Sequence, residues 1–187
     1  MDAESAEALF TMQRAAMTEE HILRRGVRDG AVLNAFRVVR RHRFLPPGAA
    51  RFAYEDHPLP IGDEQTVSQP YILAVMIELA RIGVGRRVLD VGTGSGYAAA
   101  VLAEMGAEVH TLERLPQLAH RAAEALGAEG YSHVHCHIGD GHEGWQEAAP
   151  FDAIVVGAAA ATVPDRLVEQ LAPGGRLVLP VGGDEQY

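Results

Sequence analysis

The chain has 187 residues, 48% hydrophobic and 22% charged, which is the composition of one ordinary globular domain with a substantial core. No apolar run approaches the roughly 20 residues needed to span a bilayer, and the acidic stretch Met1 to Glu7 lacks a signal-peptide pattern, so a cytoplasmic protein with no membrane partner is expected. Twenty-five acids against sixteen Lys and Arg give a net charge of −9, which argues against nucleic acid as the main partner, and the single Cys136 excludes an intrachain disulfide and fits a reducing compartment.

Ala3 to Met17 and Thr18 to Arg28 read as helices, with Thr18 and Glu20 near the start of the second and Gly26 near its end. Ala31 to Arg41 continues the pattern with a stripe of Val32, Leu33, Phe36 and Val39, and these helices are expected to pack against the main sheet. Basic residues concentrate here (Arg24, Arg25, Arg28, Arg37, Arg40, Arg41, Arg43 and Arg51), forming either a local anion-facing patch or a solvated helix face. Phe44 to Ile61 contains Pro46, Pro47, Gly48, Pro58 and Pro60, which forbid a continuous helix and predict an irregular, ordered segment. Gly62 to Pro70 reads as a polar loop leading into a helix from Tyr71 to Arg81, with Pro70 in its first turn and Ser68 or Gln69 as its cap.

The rest of the chain is organised around Arg87 to Gly96, Arg-Val-Leu-Asp-Val-Gly-Thr-Gly-Ser-Gly, followed by the alanine-rich run Tyr97 to Met105. Val88, Leu89 and Val91 form a short apolar strand, the glycines allow a sharp turn, and a helix follows. Such a loop leaves backbone N–H groups at a helix N-terminus, where they can meet a ligand, although glycine loops also occur as plain turns. The spacing, carried by Gly92, Gly94 and Gly96, departs from the dinucleotide fingerprint at its third glycine. Glu113, closing a second strand from Val109 to Leu112, stands where doubly wound folds bind a ribose hydroxyl pair; it could equally be a solvated strand-end acid. Asp140 in Ile-Gly-Asp-Gly follows a third strand, His133 to Ile138, so Asp90, Glu113 and Asp140 end three successive strands on one sheet edge.

A helix from Pro116 to Leu126, with Gly127 after its last turn, lies between those two strands. Strand four is Asp152 to Val156, a helix follows from Pro164 to Leu171, and Pro173-Gly174-Gly175 turns into strand five, Arg176 to Val181. The alternation predicts an α/β fold: a doubly wound, mostly parallel sheet with helices on both faces and an N-terminal helical extension. One domain covers 1–187, with 1–81 as helices and a covering segment and 82–187 as a Rossmann-like core. His133, His135 and His137 alternate along one strand, an awkward source of three metal ligands because same-face neighbours lie about 6.5–7 Å apart, and no metal is expected. Cys136 reads as a core residue beside Val134 and Ile138, and Trp145 either lines an adenine pocket or plugs a hydrophobic hole.

From about Arg24 to Gly182 the chain resembles the protein-L-isoaspartate O-methyltransferases, class I enzymes that use S-adenosylmethionine. The resemblance rests on Arg41-His42-Arg43-Phe44-Leu45-Pro46, Ala53-Tyr54-Glu55-Asp56, Leu59-Pro60-Ile61-Gly62, Gln65 to Tyr71, the glycine loop, Gly139-Asp140-Gly141, Phe151 to Val156 and Gln170 to Val178. The glycine loop and strand four are common to many methyltransferases, whereas Thr66-Val67-Ser68-Gln69-Pro70 together with Ala53 to Asp56 is specific to this family. The resemblance implies that Asp90, Gly92 and Gly94 line the methionine end of S-adenosylmethionine and that Glu113 accepts hydrogen bonds from its ribose. Asp140 with the Gly141 backbone would bind the adenine, and Thr66 and Ser68 would lie beside the sulfonium, Ser68 being the catalytic residue. The implied reaction is methyl transfer to the free carboxylate of isoaspartyl residues in damaged proteins and peptides, giving S-adenosylhomocysteine and initiating repair through a succinimide, by an enzyme expected to act as a monomer. Two alternatives stay open: a dedicated peptide aspartate methyltransferase that forms an aspartimide, and a non-catalytic S-adenosylmethionine-binding module. Two departures stand out. Glu64 occupies a position that is usually glycine and is expected to point to solvent, and the chain stops at Tyr187 where family members continue through a further helix and strand pair.

Overall fold

The computed structural model describes residues 3–182. Helix α1 (Ala3–Ala16) runs directly into a π-helical stretch, Met17–Leu23, where the sequence reading expects a second α-helix from Thr18 to Arg28. Thr18 does not open a helix: its buried hydroxyl donates back to the Arg14 carbonyl at 3.0 Å and the winding simply continues. Helix α2 (Gly30–Val38) starts on Asp29, whose carboxylate accepts from the N–H groups of Ala31 and Val32 at 2.8 and 3.1 Å. Its predicted stripe of Val32, Leu33, Phe36 and Val39 is buried. These helices pack chiefly over α3 (Pro70–Ala80) and α4 (Tyr97–Glu104), which lie on the sheet, so the extension is a second layer and not a sheet cover.

Phe44 to Ile61 is largely irregular, with 3-10 turns at Arg41–Phe44 and Ala50–Phe52. The polar loop expected after it is instead half of a hairpin, β1 (Leu59–Gly62) antiparallel to β2 (Gln65–Val67). Asp63 and Glu64 connect the two strands at φ +52° and +58°, the left-handed pair of a type I′ turn. That turn ordinarily announces itself with Asn-Gly or Asp-Gly, and Asp-Glu carries no such signal. Glu64 is exposed, as expected.

Five parallel strands form the sheet: β3 (Arg87–Val91), β4 (Glu108–Glu113), β5 (His135–Ile138), β6 (Phe151–Val156) and β7 (Leu171–Val178), in the order β5-β4-β3-β6-β7. β5 is shorter than the sequence suggests, and Pro173-Gly174-Gly175 becomes a bulge, because Phe151 pairs with Leu171 but Ala153 with Arg176. α5 (Pro116–Ala128) connects β4 to β5 and includes Gly127, expected just beyond it; α6 (Asp165–Glu169) is shorter than predicted. Side chains alternate across the sheet, so Val88, Val109 and Val155 join α3, α4 and the N-terminal helices in the larger core. Leu89, Val91, Leu112, Ile154 and Val156 form a smaller core on the other face, covered by Leu167 of α6 and by Trp145. The chain leaves β3 toward β4 on one side and returns to β6 on the other, so the loops after β3 and β6 open at the switch point where such sheets bind ligands.

Candidate active site

Gly92, Gly94 and Gly96 all take positive φ, 93°, 54° and 88°, the conformations that L side chains avoid. The sequence reading leaves the loop's N–H groups free for a ligand, but most are used within the protein. Gly92 and Thr93 donate to the Leu112 carbonyl at 2.8 and 3.2 Å, Gly96 to Thr93 at 2.8 Å, and Gly94 to Glu113 Oε2 at 2.9 Å. A buried loop must satisfy its own donors, and here the strand-end acid does part of that work. Oε1 of Glu113 also accepts from Leu115 N–H at 3.1 Å, so this largely buried carboxylate ties the glycine loop to the approach of α5.

A cavity of about 330 Å³, within the range of small-molecule sites, opens over the carboxyl ends of β3, β4 and β6. Thr66, Gly92, Gly94, Glu113, Asp140 and Gly141 all line it. Its apolar wall comes from Val91, Leu112, Val156 and Leu167. A Cβ on Gly141 would stand 2.6 Å from Val91 Cγ1, so only glycine lets this backbone close on the wall. Asp140 is exposed, and its carboxyl is held below the usual range by the His142 backbone N–H, which donates to Oδ1 at 2.9 Å. Of the three strand-end acids, Asp90 is placed differently. It lies on β3 inside a second, smaller cavity of about 50 Å³ that shares Thr66, Gly92, Gly94 and Gly157 with the first. Burial pushes its carboxyl up to about 7 against the lowering effect of the Thr111 hydroxyl, which donates to it at 2.7 Å, and the Glu113 charge adds to the rise.

Ser68 lines the smaller cavity with Asp90, so the hairpin exit and the glycine loop face each other across it. The hairpin rests directly on the loop, since a Cβ on Gly94 would lie 3.3 Å from Ile61 Cδ1. Neither Ser68 nor Gln69 caps α3 with its side chain. Asp56 does so from outside the helix: Oδ1 accepts from Tyr71 N–H at 3.1 Å, while its Oδ2 and carbonyl both accept from Gln69 Nε2 at 2.9 Å. The Ser68 hydroxyl is thereby left without a protein partner among the described residues.

Sequence reasoning missed Arg114, His142 and the loop Gly157 to Ala160, which also line the larger cavity. The available signal was position: each follows a strand at its carboxyl end, the edge already singled out. Trp145 does not line either cavity; it stacks on His137 at 4.1 Å and plugs the smaller core. His110 joins that stack, donating or accepting at 3.0 Å with His137. Cys136 is half-buried against the larger core beside buried Val134, but Ile138, expected to be core, is exposed on the edge strand. The arginines divide: most are exposed, Arg40 pairs with Glu129 at 2.8 Å, and Arg41 is entirely buried, which neither a patch nor a solvated face anticipates.

Residues 12–187 match the family model described as protein-L-isoaspartate(D-aspartate) O-methyltransferase. A protein-L-isoaspartate O-methyltransferase of Opitutus terrae is 56% identical over 176 residues, covering 94% of this chain and 76% of that protein. One of Gloeobacter violaceus is 57% identical over 166 residues, covering 89% and 81%. Among solved structures, a protein-L-isoaspartate O-methyltransferase superposes with a TM-score of 0.80 at 29% identity, over 91% of this chain but 55% of that longer one. A Plasmodium falciparum relative, solved in complex with S-adenosyl-L-homocysteine, gives 0.77 at 28% identity, over 91% and 85%.

Proposed function

Because this chain belongs to the protein-L-isoaspartate(D-aspartate) O-methyltransferase family, we infer that it methylates the free carboxylate of L-isoaspartyl residues in damaged proteins and peptides, using S-adenosylmethionine. The single observation that carries the reading is that Ser68 and Asp90 meet in a small cavity that shares Thr66, Gly92, Gly94 and Gly157 with the larger one lined by Glu113, Asp140 and Gly141. The residues suit the donor. An apolar wall, a Cβ-free approach at Gly141 and a carboxylate with acceptor capacity to spare match an adenosine, and the smaller cavity matches a methionine tail. When bound, S-adenosylmethionine supplies an electrophilic methyl group on a sulfonium.

Glu113 would hold the ribose hydroxyls, Asp140 and the Gly141 backbone the adenine, and Asp90, Gly92 and Gly94 the methionine end. Thr66 lines both cavities. The acceptor carboxylate is already ionised at neutral pH, since carboxyl groups titrate near 4, so no general base is needed. Ser68 orients that carboxylate through its unpartnered hydroxyl, and the rate enhancement comes from alignment, which can contribute roughly 7–11 kcal/mol. A backbone amide nitrogen of the substrate then attacks the ester carbonyl, losing its proton and expelling methanol to close a succinimide, whose hydrolysis returns part of the chain to normal aspartate. The single cysteine fits action in the cytoplasm. Transfer of labelled methyl to an isoaspartyl peptide, but not to its aspartyl counterpart, is the expected result. Preference for the aspartyl peptide would point to an aspartimide-forming enzyme, and binding without transfer to a non-catalytic module.

A further inference from the structure

Arg41 lies in the 3-10 turn after α2 with no solvent-exposed surface. A buried guanidinium is costly, because it gives up hydration and cannot escape by losing its proton. No carboxylate among the described residues pairs with it. Asp56, a carboxylate whose charge acts on it, has its oxygens committed to Arg25, Gln69 and Tyr71. Its Cζ lies 4.8 Å from the centre of the Tyr97 ring, and its Nε and Nη1 find no acceptor among the described residues. Among the described residues its side chain makes one hydrogen bond, from Nη2 to the Ser68 carbonyl at 2.9 Å.

That carbonyl belongs to a two-residue corner between β2 and α3, where Ser68 and Gln69 lie outside both elements. Asp56 holds the Gln69 half of the corner, and Arg41 holds the Ser68 half. An apolar side chain would fill the same space at lower cost but could not make this bond. We propose that Arg41 is a positioning residue for methyl transfer: by fixing the Ser68 carbonyl it keeps the Ser68 hydroxyl aimed into the smaller cavity. The proposal rests on the function assigned above. Displacing an orienting group by about 1 Å can cost on the order of 100-fold in rate, so the effect belongs in turnover and not in donor binding.

The test compares the unmodified enzyme with Arg41→Met and Arg41→Lys, and sets Arg41→Met in a Ser68→Ala background. Turnover of an isoaspartyl peptide, S-adenosylhomocysteine affinity by calorimetry and thermal melting are measured for each. Arg41→Met is expected to lower kcat about 10- to 100-fold with affinity within about threefold of the parent, and Arg41→Lys to fall between. In the Ser68→Ala background the same change should cost less than about threefold more, because the group it positions is gone. An Arg41→Met enzyme with parental kcat, or an equal loss in both backgrounds, overturns the proposal. Should Arg41→Met fail to fold, Arg41→Lys decides: reduced kcat at unchanged affinity supports the proposal, and parental kcat ends it. An unmodified enzyme that leaves the isoaspartyl peptide unmethylated removes the functional reading and this proposal together, whereas parental kcat in an active Arg41→Met enzyme removes only the latter.

Discussion

Replacing Glu113 with alanine separates donor binding from catalysis. Each carboxylate oxygen already accepts one backbone N–H, from Gly94 at 2.9 Å and from Leu115 at 3.1 Å. An oxygen has two lone pairs, so each keeps one for a ribose hydroxyl. Hydrogen bonds to a charged acceptor contribute about 1.5–3 kcal/mol each, so losing two costs about 3 kcal/mol or more, a weakening of over 100-fold in Kd. Glu113→Gln keeps one acceptor oxygen but turns an NH2 group toward one of those N–H donors, so about tenfold is expected for it. The two orphaned N–H groups also lower stability in Glu113→Ala by about 1–3 kcal/mol each. Titration calorimetry with S-adenosylhomocysteine, on protein shown to be folded by its thermal transition, reads the effect. A Kd within threefold of the parent would refute the ribose assignment.

Ser68→Ala should lower kcat about 10- to 100-fold with donor affinity little changed, and a parental rate would take Ser68 out of the mechanism. Gly141→Ala drives a Cβ to 2.6 Å from Val91 Cγ1, so strain of about 1–3 kcal/mol should weaken S-adenosylhomocysteine binding about tenfold; unaltered calorimetry would mean the wall yields freely. Glu64→Gly relieves a left-handed φ of +58°, and after the flexibility glycine adds to the unfolded chain a net gain of about 0.5–1 kcal/mol should raise Tm by about 2 °C. Asp90, pushed up to about 7, is held protonated in the fold, so ionising it costs stability that is intact below pH about 4 and lost as pH rises through about 7. The loss is of order 4 kcal/mol, and Asp90→Asn should flatten the decline of Tm between pH 4 and 7; parallel profiles for the two proteins would contradict the assignment.

The sheet was legible because its signals are local. Short strands with apolar residues at Val88, Leu89 and Val91 of β3, Val109 and Leu112 of β4 and Ala153 to Val156 of β6, glycines at the loop after β3 and an acid closing β4 each follow from the backbone and side-chain preferences of neighbouring residues. The same locality put Glu113 and Asp140 on one sheet edge and Gly92 and Gly94 in the loop after β3, whereas Thr66 and Gly141 came from the family resemblance; all six line one cavity. The hairpin was illegible because Asp63-Glu64 is a poor type I′ pair that tertiary contacts hold in place, among them Arg121 of α5 bonding Asp63. The continuation of α1 into π-helix, the capping of α3 by a carboxylate fifteen residues upstream and the complete burial of Arg41 likewise depend on partners distant in sequence. Local preference sets what each segment can become. Which of two equally polar candidates ends up capped, buried or facing a cavity is decided only when packing removes water and leaves each donor to the acceptor the fold brings near.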